Sequence, residues 1–399
     1  MKLAKHRTLF TLGIAAIILI AGTVAIFWAR GFKPDFKNGG IQRTGLIVAS
    51  STPTGAHVYL DDRLTSATDT NIAFLTPKTY KVKIQKDGYT TWEKDIEIKA
   101  DLAVEIKALL FPTAPEIKPL TITGAASPIL SPDGAKIVYG VAGAQGGLYT
   151  LPMDNRPFPF RQGARLLAKN QGFFDFSQAK FFWSPESKQL IARFSDTQGN
   201  PVSNILVDSD KTEQDIRDVS GSLLATLTDW QNQIITHAQT QALTVPDSIK
   251  QATTEAVMSQ SDKSKPEVPK QTDSTLSTLT LNYFPTGLVF SPDEDKVLYK
   301  NGKGDYKVYD LKLKKAYTLP NFADFINLSW FPDGNHLVIA QKDQISIIES
   351  DGTNKMAVYS GKFENGFVFA HPSGSRLIIL STIAQPDGTS PNLYSINLK

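Results

Sequence analysis

The strongest constraint on this chain is a ten-residue pattern that occurs five times after residue 129. The copies are LSPDGAKIVY (130–139), WSPESKQLIA (183–192), FSPDEDKVLY (290–299), WFPDGNHLVI (330–339) and AHPSGSRLII (370–379). Proline at the third place favours a type I turn, because its ring presets the φ that the turn requires. The apolar residues on either side favour half-buried strands. Recurrent strand–turn–strand units predict a mainly β repeat fold, and the usual solution is a β-propeller.

The spacing of the repeat proline predicts where the blades begin. Pro292, Pro332 and Pro372 are 40 residues apart, about the length of a blade of four strands. Pro132 and Pro185 are 53 residues apart, and the interval from there to the third copy is 107 residues. An insertion of about 60 residues therefore lies between the second and third copies, because removing it leaves one ordinary blade.

These copies resemble the repeats of TolB-like and WD-repeat-like propellers, and the resemblance implies the fold without specifying a function. We therefore predict that residues 121–399 form a propeller of five or six blades, with a helical and disordered insertion at about 212–278. The chain ends after NLYSINLK (392–399), one strand short of a full blade. We expect residues 120–123 to supply the missing strand, because such closure removes the exposed edges of the sheet.

The insertion carries a helical apolar stripe. Its apolar residues recur at steps of three or four: Val219, Leu223, Leu227, Trp230 and Ile234. This period predicts a helix over 216–242, followed by a shorter helix over 246–258 and a disordered polar segment over 259–275. A stripe of this size needs a cover, which is the second helix, the propeller wall or another protein chain. Its last four residues are therefore candidate partner contacts, with internal packing as the alternative.

The N-terminal segment predicts a membrane anchor. Residues 9–28 are 20 residues without a charge, which is long enough to cross the hydrocarbon core of a bilayer. Basic residues flank both ends almost equally, but a very short basic tail before the first apolar segment favours a cytoplasmic N-terminus. We predict a cytoplasmic tail and single transmembrane anchor at 1–29, a polar linker at 30–44 and an extracytoplasmic remainder. Whether the N-terminal segment is ever cleaved is left open.

Residues 45–111 show the alternation of a small β domain, with apolar residues at 80, 82 and 84 separated by lysines. The segment resembles the PEGA domain, which is named after a Pro-Glu-Gly-Ala run. That run is here Pro53-Thr54-Gly55-Ala56, with threonine in place of glutamate. The later part of the family pattern is matched by Tyr80, Val82, Lys86, Gly88, Tyr89 and Trp92. The resemblance implies a small surface module of envelope proteins, which a Pro-rich linker at 112–120 joins to the propeller.

Composition and motifs argue against several classes of site. The chain has no Cys, which excludes disulfides, thiolate metal sites and a catalytic cysteine. Its 42 Lys and Arg against 39 Asp and Glu, without a long basic cluster, argue against a nucleic-acid partner. Asp133, Asp293 and Asp333 share one place in the repeat, which indicates turn stabilisers. His336 and His371 fall in the same turns and are predicted to be turn or surface residues. We predict no catalytic residue, cofactor or metal site.

The predicted function is binding. The anchor and two modules of an interaction type indicate a non-enzymatic, single-pass membrane protein that binds or scaffolds a protein or cell-envelope partner. The alternative is an extracytoplasmic enzyme, carbohydrate-active or peptidase-like, with its site in the central channel of the propeller. Tyr89 and Trp92 are candidates for an aromatic contact surface for glycan or protein, against the alternative that they belong to the core of the small domain.

Overall fold

The computed structural model describes residues 2–29, 31–35, 40–143, 146–153, 163–261, 281–364, 366–383 and 390–399. The chain divides into two compact units, Met1–Ala114 and Pro115–Lys399. The first unit begins with helix α1, Lys2–Ala29. Its apolar part, Phe10–Trp28, is 19 residues long, which matches the length of a membrane span.

A two-stranded hairpin follows this helix. Strand β1 (Phe32–Asp35) pairs antiparallel with β2 (Gly40–Arg43), and Phe32 lies opposite Arg43. The backbone N–H of Thr44 donates to the carbonyl of Gly31 at 3.2 Å, which holds the two ends of the hairpin together. The segment 30–44, predicted to be a polar linker, therefore contains two paired strands.

The rest of the first unit is a pair of packed sheets. Their strands are β3 (Gly45–Thr52), β4 (His57–Leu60), β5 (Arg63–Ala67), β6 (Thr70–Leu75), β7 (Thr79–Gln85), β8 (Trp92–Glu97) and β9 (Ala103–Leu109). One sheet has the order β6-β3-β9 and the other the order β5-β4-β7-β8. The alternation at 80, 82 and 84 places those three side chains in the shared core, together with Ile47 and Ile106.

The described residues of the second unit contain five four-stranded antiparallel sheets, called blades 1 to 5 below. Blade 1 has β11 (Ala126–Leu130), β12 (Lys136–Val141), β13 (Gly147–Pro152) and β14 (Arg165–Lys169). Blade 2 has β15 (Lys180–Trp183), β16 (Gln189–Ser195), β17 (Pro201–Asp208) and β18 (Arg217–Asp218). Blade 3 has β19 (Val289–Phe290), β20 (Lys296–Lys300), β21 (Tyr306–Asp310) and β22 (Lys315–Thr318). Blade 4 has β23 (Phe325–Trp330), β24 (His336–Gln341), β25 (Gln344–Glu349) and β26 (Met356–Ser360). Blade 5 has β27 (Val368–Ala370), β28 (Arg376–Ser381), β29 (Asn392–Asn397) and, as its outer strand, β10 (Ile117–Pro119).

Each blade packs against the next, and the fifth packs against the first. Shared apolar clusters join blades 1 and 2, blades 3 and 4, and blades 5 and 1. Between blades 2 and 3, the hydroxyl of Tyr283 donates to the carbonyl of Trp183. Between blades 4 and 5, β24 lies against β27. The five sheets therefore close into a ring, which is the architecture of a β-propeller.

Strand β10 closes this ring. Ile117 lies opposite Ile396 and Pro119 lies opposite Tyr394, so residues far apart in sequence share one blade. The expected closure is present, but its strand lies three residues before 120–123. The segment 112–120, predicted to be a spacer, thus contains a propeller strand, and Pro112 forms a bridge with Tyr89 in the first unit.

All five repeat copies form the same turn between the first and second strands of a blade. The fifth residue of each copy has a left-handed φ: Gly134 (70°), Ser187 (59°), Glu294 (56°), Gly334 (66°) and Gly374 (63°). The repeat aspartates accept hydrogen bonds inside these turns. Asp133 Oδ1 accepts from Ser131 Oγ and from the N–H of Ala135, and Asp333 Oδ1 accepts from the N–H groups of Asn335 and His336. The interpretation of these aspartates as turn stabilisers is confirmed.

The basic place in the repeat joins neighbouring blades. Lys136 Nζ donates to Asp210 Oδ1 at 2.7 Å and to Ser209 Oγ at 2.8 Å, both in blade 2. At the same place in blade 3, Lys296 Nζ donates to Asn335 Oδ1 of blade 4 at 3.0 Å. In blades 1 and 3 the repeat therefore supplies both the turn within the blade and a polar contact to the next blade.

The insertion contains two helices, α2 (Leu223–Ala242) and α3 (Asp247–Ser261). The first begins at residue 223 rather than 216, and the insertion starts after residue 218 rather than 212, because β18 completes blade 2. The polar segment 259–275 begins inside α3, contrary to expectation, and its residues from 262 onward lie outside the described residues.

Candidate functional site

The propeller surrounds a cavity of about 930 Å³. Its wall contains residues from the first strands of blades 1, 3, 4 and 5. One end of the cavity lies at the repeat turns, which we call the turn face: 131–135, 184–188, 291–295, 331–335 and 371–375. The other end lies near Phe284 and Gly287, where the chain enters blade 3.

We call this second end the connection face, because the chain passes there from one blade to the next. It comprises the described residues of the connecting segments 120–125, 170–179, 219–222, 281–288, 319–324 and 361–367. The ends of the strands that lead into or out of these segments, and the loops between second and third strands, lie at the same end, since antiparallel strands alternate in direction. The two helices of the insertion grow from this face.

The cavity wall is largely apolar. Its larger apolar side chains are Leu130, Val289, Phe290, Leu328, Trp330 and Phe369. Trp330 Nε1 donates to the carbonyl of Val289 at 2.9 Å, so the indole brings no unpaired donor into the wall. Helix α3 contributes Thr253 and Ala256. A cavity with apolar walls and a few polar groups suits a ligand that buries an apolar group.

One cation lies among the described residues of the wall. Lys300 Nζ lies 5.3 Å from the centroid of the Tyr306 ring, and both residues line the cavity. Burial raises the pKa of Tyr306, so its hydroxyl stays protonated at neutral pH. The positive charge and the ring attract each other, which holds the ammonium beside the apolar wall. This position suits an anionic group on a ligand whose apolar part enters the cavity.

Large apolar side chains are exposed around the connection face. They are Ile122 (85%), Phe173 (58%), Val202 (54%), Phe284 (57%) and Ile326 (47%). Four of them lie in or next to the segments that lead into blades 1 to 4, and Val202 lies at the start of β17. In the segment that leads into blade 5, Phe363 and Phe367 are buried instead. Exposed apolar residues that gather at one end of a molecule mark an interaction surface.

The acidic groups of the wall have structural partners. Asp133 is the single carboxylate among the described residues that line the cavity, and its Oδ1 is hydrogen-bonded within the blade 1 turn. Over the part of the chain that the structure describes, no three His, Asp or Glu side chains are grouped to hold a metal ion.

The apolar stripe of α2 is covered by the propeller. Leu223, Leu227 and Trp230 share a cluster with Ile191 of β16, and each of the three is at most 5% exposed. Ile234 is buried as well. On the polar side, the amide of Gln231 exchanges two hydrogen bonds with the backbone of Asn282. Of the three predicted covers, the propeller wall is the one that contacts Leu223, Leu227 and Trp230, and all four residues are buried.

The second helix packs on blade 3. Ile249 of α3 shares a buried cluster with Leu288, Val297 and Tyr299. Gln241, near the end of α2, also donates to Glu294 in the blade 3 turn at 2.8 Å. The insertion therefore spans blades 2 and 3 as a brace, and α3 brings part of it to the cavity.

Tyr89 and Trp92 do not form an exposed aromatic surface. Trp92 is 3% exposed and belongs to the core of the first unit. Tyr89 is half-buried, packs against the same core and bridges to Pro112. The alternative that both residues serve the core is the one that the structure supports.

His336 and His371 are buried turn residues, so the surface half of their prediction is wrong. His336 Nδ1 and Asp333 Oδ2 are 2.6 Å apart. Burial acts to raise the pKa of Asp333, but the hydrogen bond with His336 outweighs it and holds that pKa below its usual range. His371 Nδ1 is hydrogen-bonded to Ser373 Oγ at 2.8 Å.

The exposed residues of the connection face were missed in the sequence because they do not belong to the repeat. A signal was nevertheless present. The segments that lead into blades 2, 3 and 4 each contain closely spaced aromatic residues: GFFDF (172–176), YF (283–284) and NFADF (321–325). In each of the first two, one ring is exposed and a neighbouring ring packs inside. Aromatic residues in excess of what a core uses predict a binding surface.

Comparison with known proteins identifies the first domain. Residues 44–113 match the PEGA domain family. No curated protein matches the chain.

Several solved structures are similar to the chain at low identity. A putative TolB from Agrobacterium tumefaciens is 13% identical, with 66% of this chain and 76% of that chain covered and a TM-score of 0.22. TolB from Acinetobacter baumannii is 11% identical, with coverages of 80% and 60% and a TM-score of 0.23. An oligogalacturonate lyase in complex with manganese is 10% identical, with coverages of 80% and 86% and a TM-score of 0.29. At these scores the likenesses say nothing of function, and the propeller is established by its sheet topology. Residues 44–113 are a PEGA domain, and a β-propeller follows it in the chain.

Proposed function

We propose that this protein is a non-enzymatic, single-pass membrane protein that presents its PEGA domain and propeller outside the cytoplasm. In this proposal the propeller binds a segment of a protein partner at its connection face. An apolar side chain of that segment enters the cavity, and an acidic group beside it pairs with Lys300. The observation that carries the proposal is the combination of an apolar cavity with exposed apolar side chains around one of its ends.

The chemistry of the wall supports a peptide ligand. A cavity of about 930 Å³ holds several amino-acid side chains, and its aromatic wall favours the binding of apolar side chains. A single cation beside that wall selects for one acidic group, because an unpaired carboxylate would be disfavoured elsewhere in an apolar site. The α1 helix supports the membrane location, since its apolar part is long enough to span a bilayer.

Site-specific photo-crosslinking in intact cells tests this function. A photoreactive amino acid at position 284 lies on the connection face, and one at position 313 lies at the turn between the third and fourth strands of the same blade. Both native side chains are exposed, Phe284 at 57% and Leu313 at 68%, so the two probes are matched in access to solvent. We expect a discrete adduct from position 284 and none from position 313.

Two further variants link the adduct to the site. Phe173→Ser should weaken the adduct at 284 by removing a neighbouring apolar contact, and Lys300→Gln should weaken it by removing the charge. Adducts of equal yield at 284 and 313, or adducts insensitive to both substitutions, would contradict binding at the connection face. Protease is also added outside intact cells whose outer layers have been made permeable. Protection of the propeller from this protease would contradict the proposed orientation.

A further inference from the structure

The PEGA domain carries exposed apolar side chains at the end where the membrane helix enters it. Phe74 is 43% exposed and Leu102 is 55% exposed. Trp28, the last residue of the apolar span, is 63% exposed. The rings of Trp28 and Phe74 have centroids 6.3 Å apart, so the apolar surface of the span continues onto the domain.

Backbone hydrogen bonds hold this end of the domain to the end of the helix. The N–H of Gly31 donates to the carbonyl of Trp28 at 3.0 Å, and the N–H of Thr44 donates to the carbonyl of Gly31 at 3.2 Å. The N–H of Asp101 donates in turn to the carbonyl of Thr44 at 3.0 Å. Leu102 follows directly in the chain. The loop that carries Leu102 is therefore tied to the last turn of the span through four residues.

The backbone at Phe74 adds a second observation. Its φ is +60°, a left-handed conformation that is unfavourable for a bulky side chain. A phenylalanine in this conformation contributes little to the fold while its ring remains exposed. Glycine or asparagine would adopt the same backbone more easily. The strained backbone thus holds a partly exposed ring beside Trp28.

The position of these exposed apolar side chains at the end of the membrane helix places them next to the lipid. A span of 19 apolar residues places Trp28 where the hydrocarbon core ends, and aromatic side chains favour that depth because they have an apolar body beside the polar headgroups. The centroid of the Phe74 ring lies 6.3 Å from that of the Trp28 ring, so the two rings lie at a similar depth in the membrane. The same end carries two exposed cations in surface ion pairs, Arg43 with Asp101 at 2.7 Å and Lys99 with Glu97 at 3.5 Å. Cations at this level suit the phosphates of lipid headgroups.

We propose that Phe74 and Leu102 insert into the lipid–water interface beside Trp28, so that the PEGA domain rests on the membrane. This inference depends on the anchoring half of the proposed function and is independent of what the propeller binds. The partner is the bilayer surface itself. The domain then has a fixed height and orientation relative to the lipid.

The lack of any Cys makes the test direct, because a single introduced Cys takes a fluorophore without background. The full chain is reconstituted in vesicles with the label at Lys99→Cys, near Leu102, or at Asp87→Cys, at the opposite end of the domain. Asp87 and Lys99 are both exposed. Quenching is measured with a nitroxide attached to lipid headgroups and with iodide in the water. We expect lipid quenching at position 99 to be at least threefold stronger than at position 87, with the reverse order for iodide.

A second variant assigns the effect to the apolar side chains. Phe74→Ser with Leu102→Ser should lower lipid quenching at position 99 to the level seen at position 87, while the thermal melt and flotation with vesicles stay unchanged. If the double variant does not fold, Phe74→Ser alone should give at least half of that decrease. Equal, weak lipid quenching at 99 and 87 in protein that floats with vesicles would overturn the inference while leaving the anchor intact. Protein that does not float would defeat the anchor and, with it, the inference.

Discussion

The two ends of the propeller differ in what their residues do. On the turn face, five copies of one motif form the same turn, and Lys136 and Lys296 join neighbouring blades. On the connection face, the segments differ in length and sequence, and they leave Ile122, Phe173 and Phe284 exposed. The comparison indicates that the repeat maintains the architecture, whereas the irregular end is available for binding. The four predictions below are ordered from the largest expected effect on stability to the smallest.

The first prediction concerns the helix α2, which packs along the side of the propeller. Trp230→Ala should lower the free energy of unfolding by about 3 kcal/mol, because it removes a buried ring from the contact between α2 and blade 2. The matched control is Leu224→Ala on the same helix, where the native side chain is 59% exposed and the change should stay within about 0.5 kcal/mol. Denaturant unfolding of both variants measures the difference. Equal stability of the two would mean that α2 does not brace the propeller.

The second prediction tests the close packing of the turn face. A Cβ at Gly334 would lie 2.6 Å from Asp293 Oδ1 of the neighbouring blade, and the residue has a φ of +66°. Gly334→Ala should therefore cost about 2 to 3 kcal/mol, from strain and from separating the two blades.

Gly304, in a loop of the connection face, is the matched control for this substitution. It also has a positive φ, +91°, but a Cβ there would meet only Lys300 Cε at 3.8 Å. Gly304→Ala should cost about 1 kcal/mol from backbone strain alone. Thermal melts of the two variants give the comparison. A larger loss at 304 than at 334 would contradict the view that the turn face is the tightly packed end.

The third prediction uses the repeat aspartate of blade 3. Burial acts to raise the pKa of Asp293, but the hydrogen bond from Ser291 Oγ and the N–H of Asp295 leave it below its usual range. A lowered pKa in the folded state stabilises the fold at pH values above the unfolded pKa, and this contribution is lost as the pH falls through the folded pKa. Asp293→Asn should therefore cost about 0.5 kcal/mol at pH 7, since the carboxylate is largely exposed to solvent.

The pH dependence separates this effect from a simple loss of packing. The stability difference between the parent and Asp293→Asn should be constant from pH 7 to about pH 5 and should vanish near pH 2. Urea unfolding at a series of pH values measures it. A difference that persists at pH 2 would show that the charge at this place is not what stabilises the turn.

The fourth prediction expects almost no change in stability. Phe173→Ser and Phe284→Ser remove exposed rings, so each should alter the free energy of unfolding by at most about 0.5 kcal/mol while weakening partner binding. The control on the other end of blade 3 is Leu313→Ser, which should change neither quantity. A loss of stability at 284 similar to that at 230 would show that this ring belongs to the fold rather than to a binding surface.

Prediction from the sequence succeeded where the chain is periodic. The turn motif, the alternation at 80, 82 and 84 and the stripe of α2 each follow from a local rule, and each element is present. The predicted boundaries of elements were less accurate where a strand forms only by pairing with a strand that is distant in the sequence. Ile117–Pro119 is a strand because it pairs with β29. Arg217–Asp218 is a strand because it pairs with β17 at the outer edge of blade 2. Neither partner is visible in the local sequence.

The candidate site could be predicted only in part. The propeller implied a central channel, and the first place of the repeat lines it in four blades, as Leu130, Phe290, Trp330 and Ala370. The cation Lys300 and the α3 residues Thr253 and Ala256 lie outside the repeat, so the sequence did not point to them. The apolar stripe of α2 was recognised in the sequence, but the surface that covers it was not. Ile191, which packs against the stripe, is brought there only by the fold.

The pairing of β10 with β29 also sets an order of events during synthesis. Ile117 leaves the ribosome long before its partner Ile396, so the outer strand of blade 5 has no neighbour while the four other blades are made. During that interval it is an open edge that another chain could join. Pro119 and Lys118 make the segment a poor template, since one lacks an N–H donor and the other carries a charge. A newly made chain is thus guarded against premature pairing by the same residues that later complete the ring.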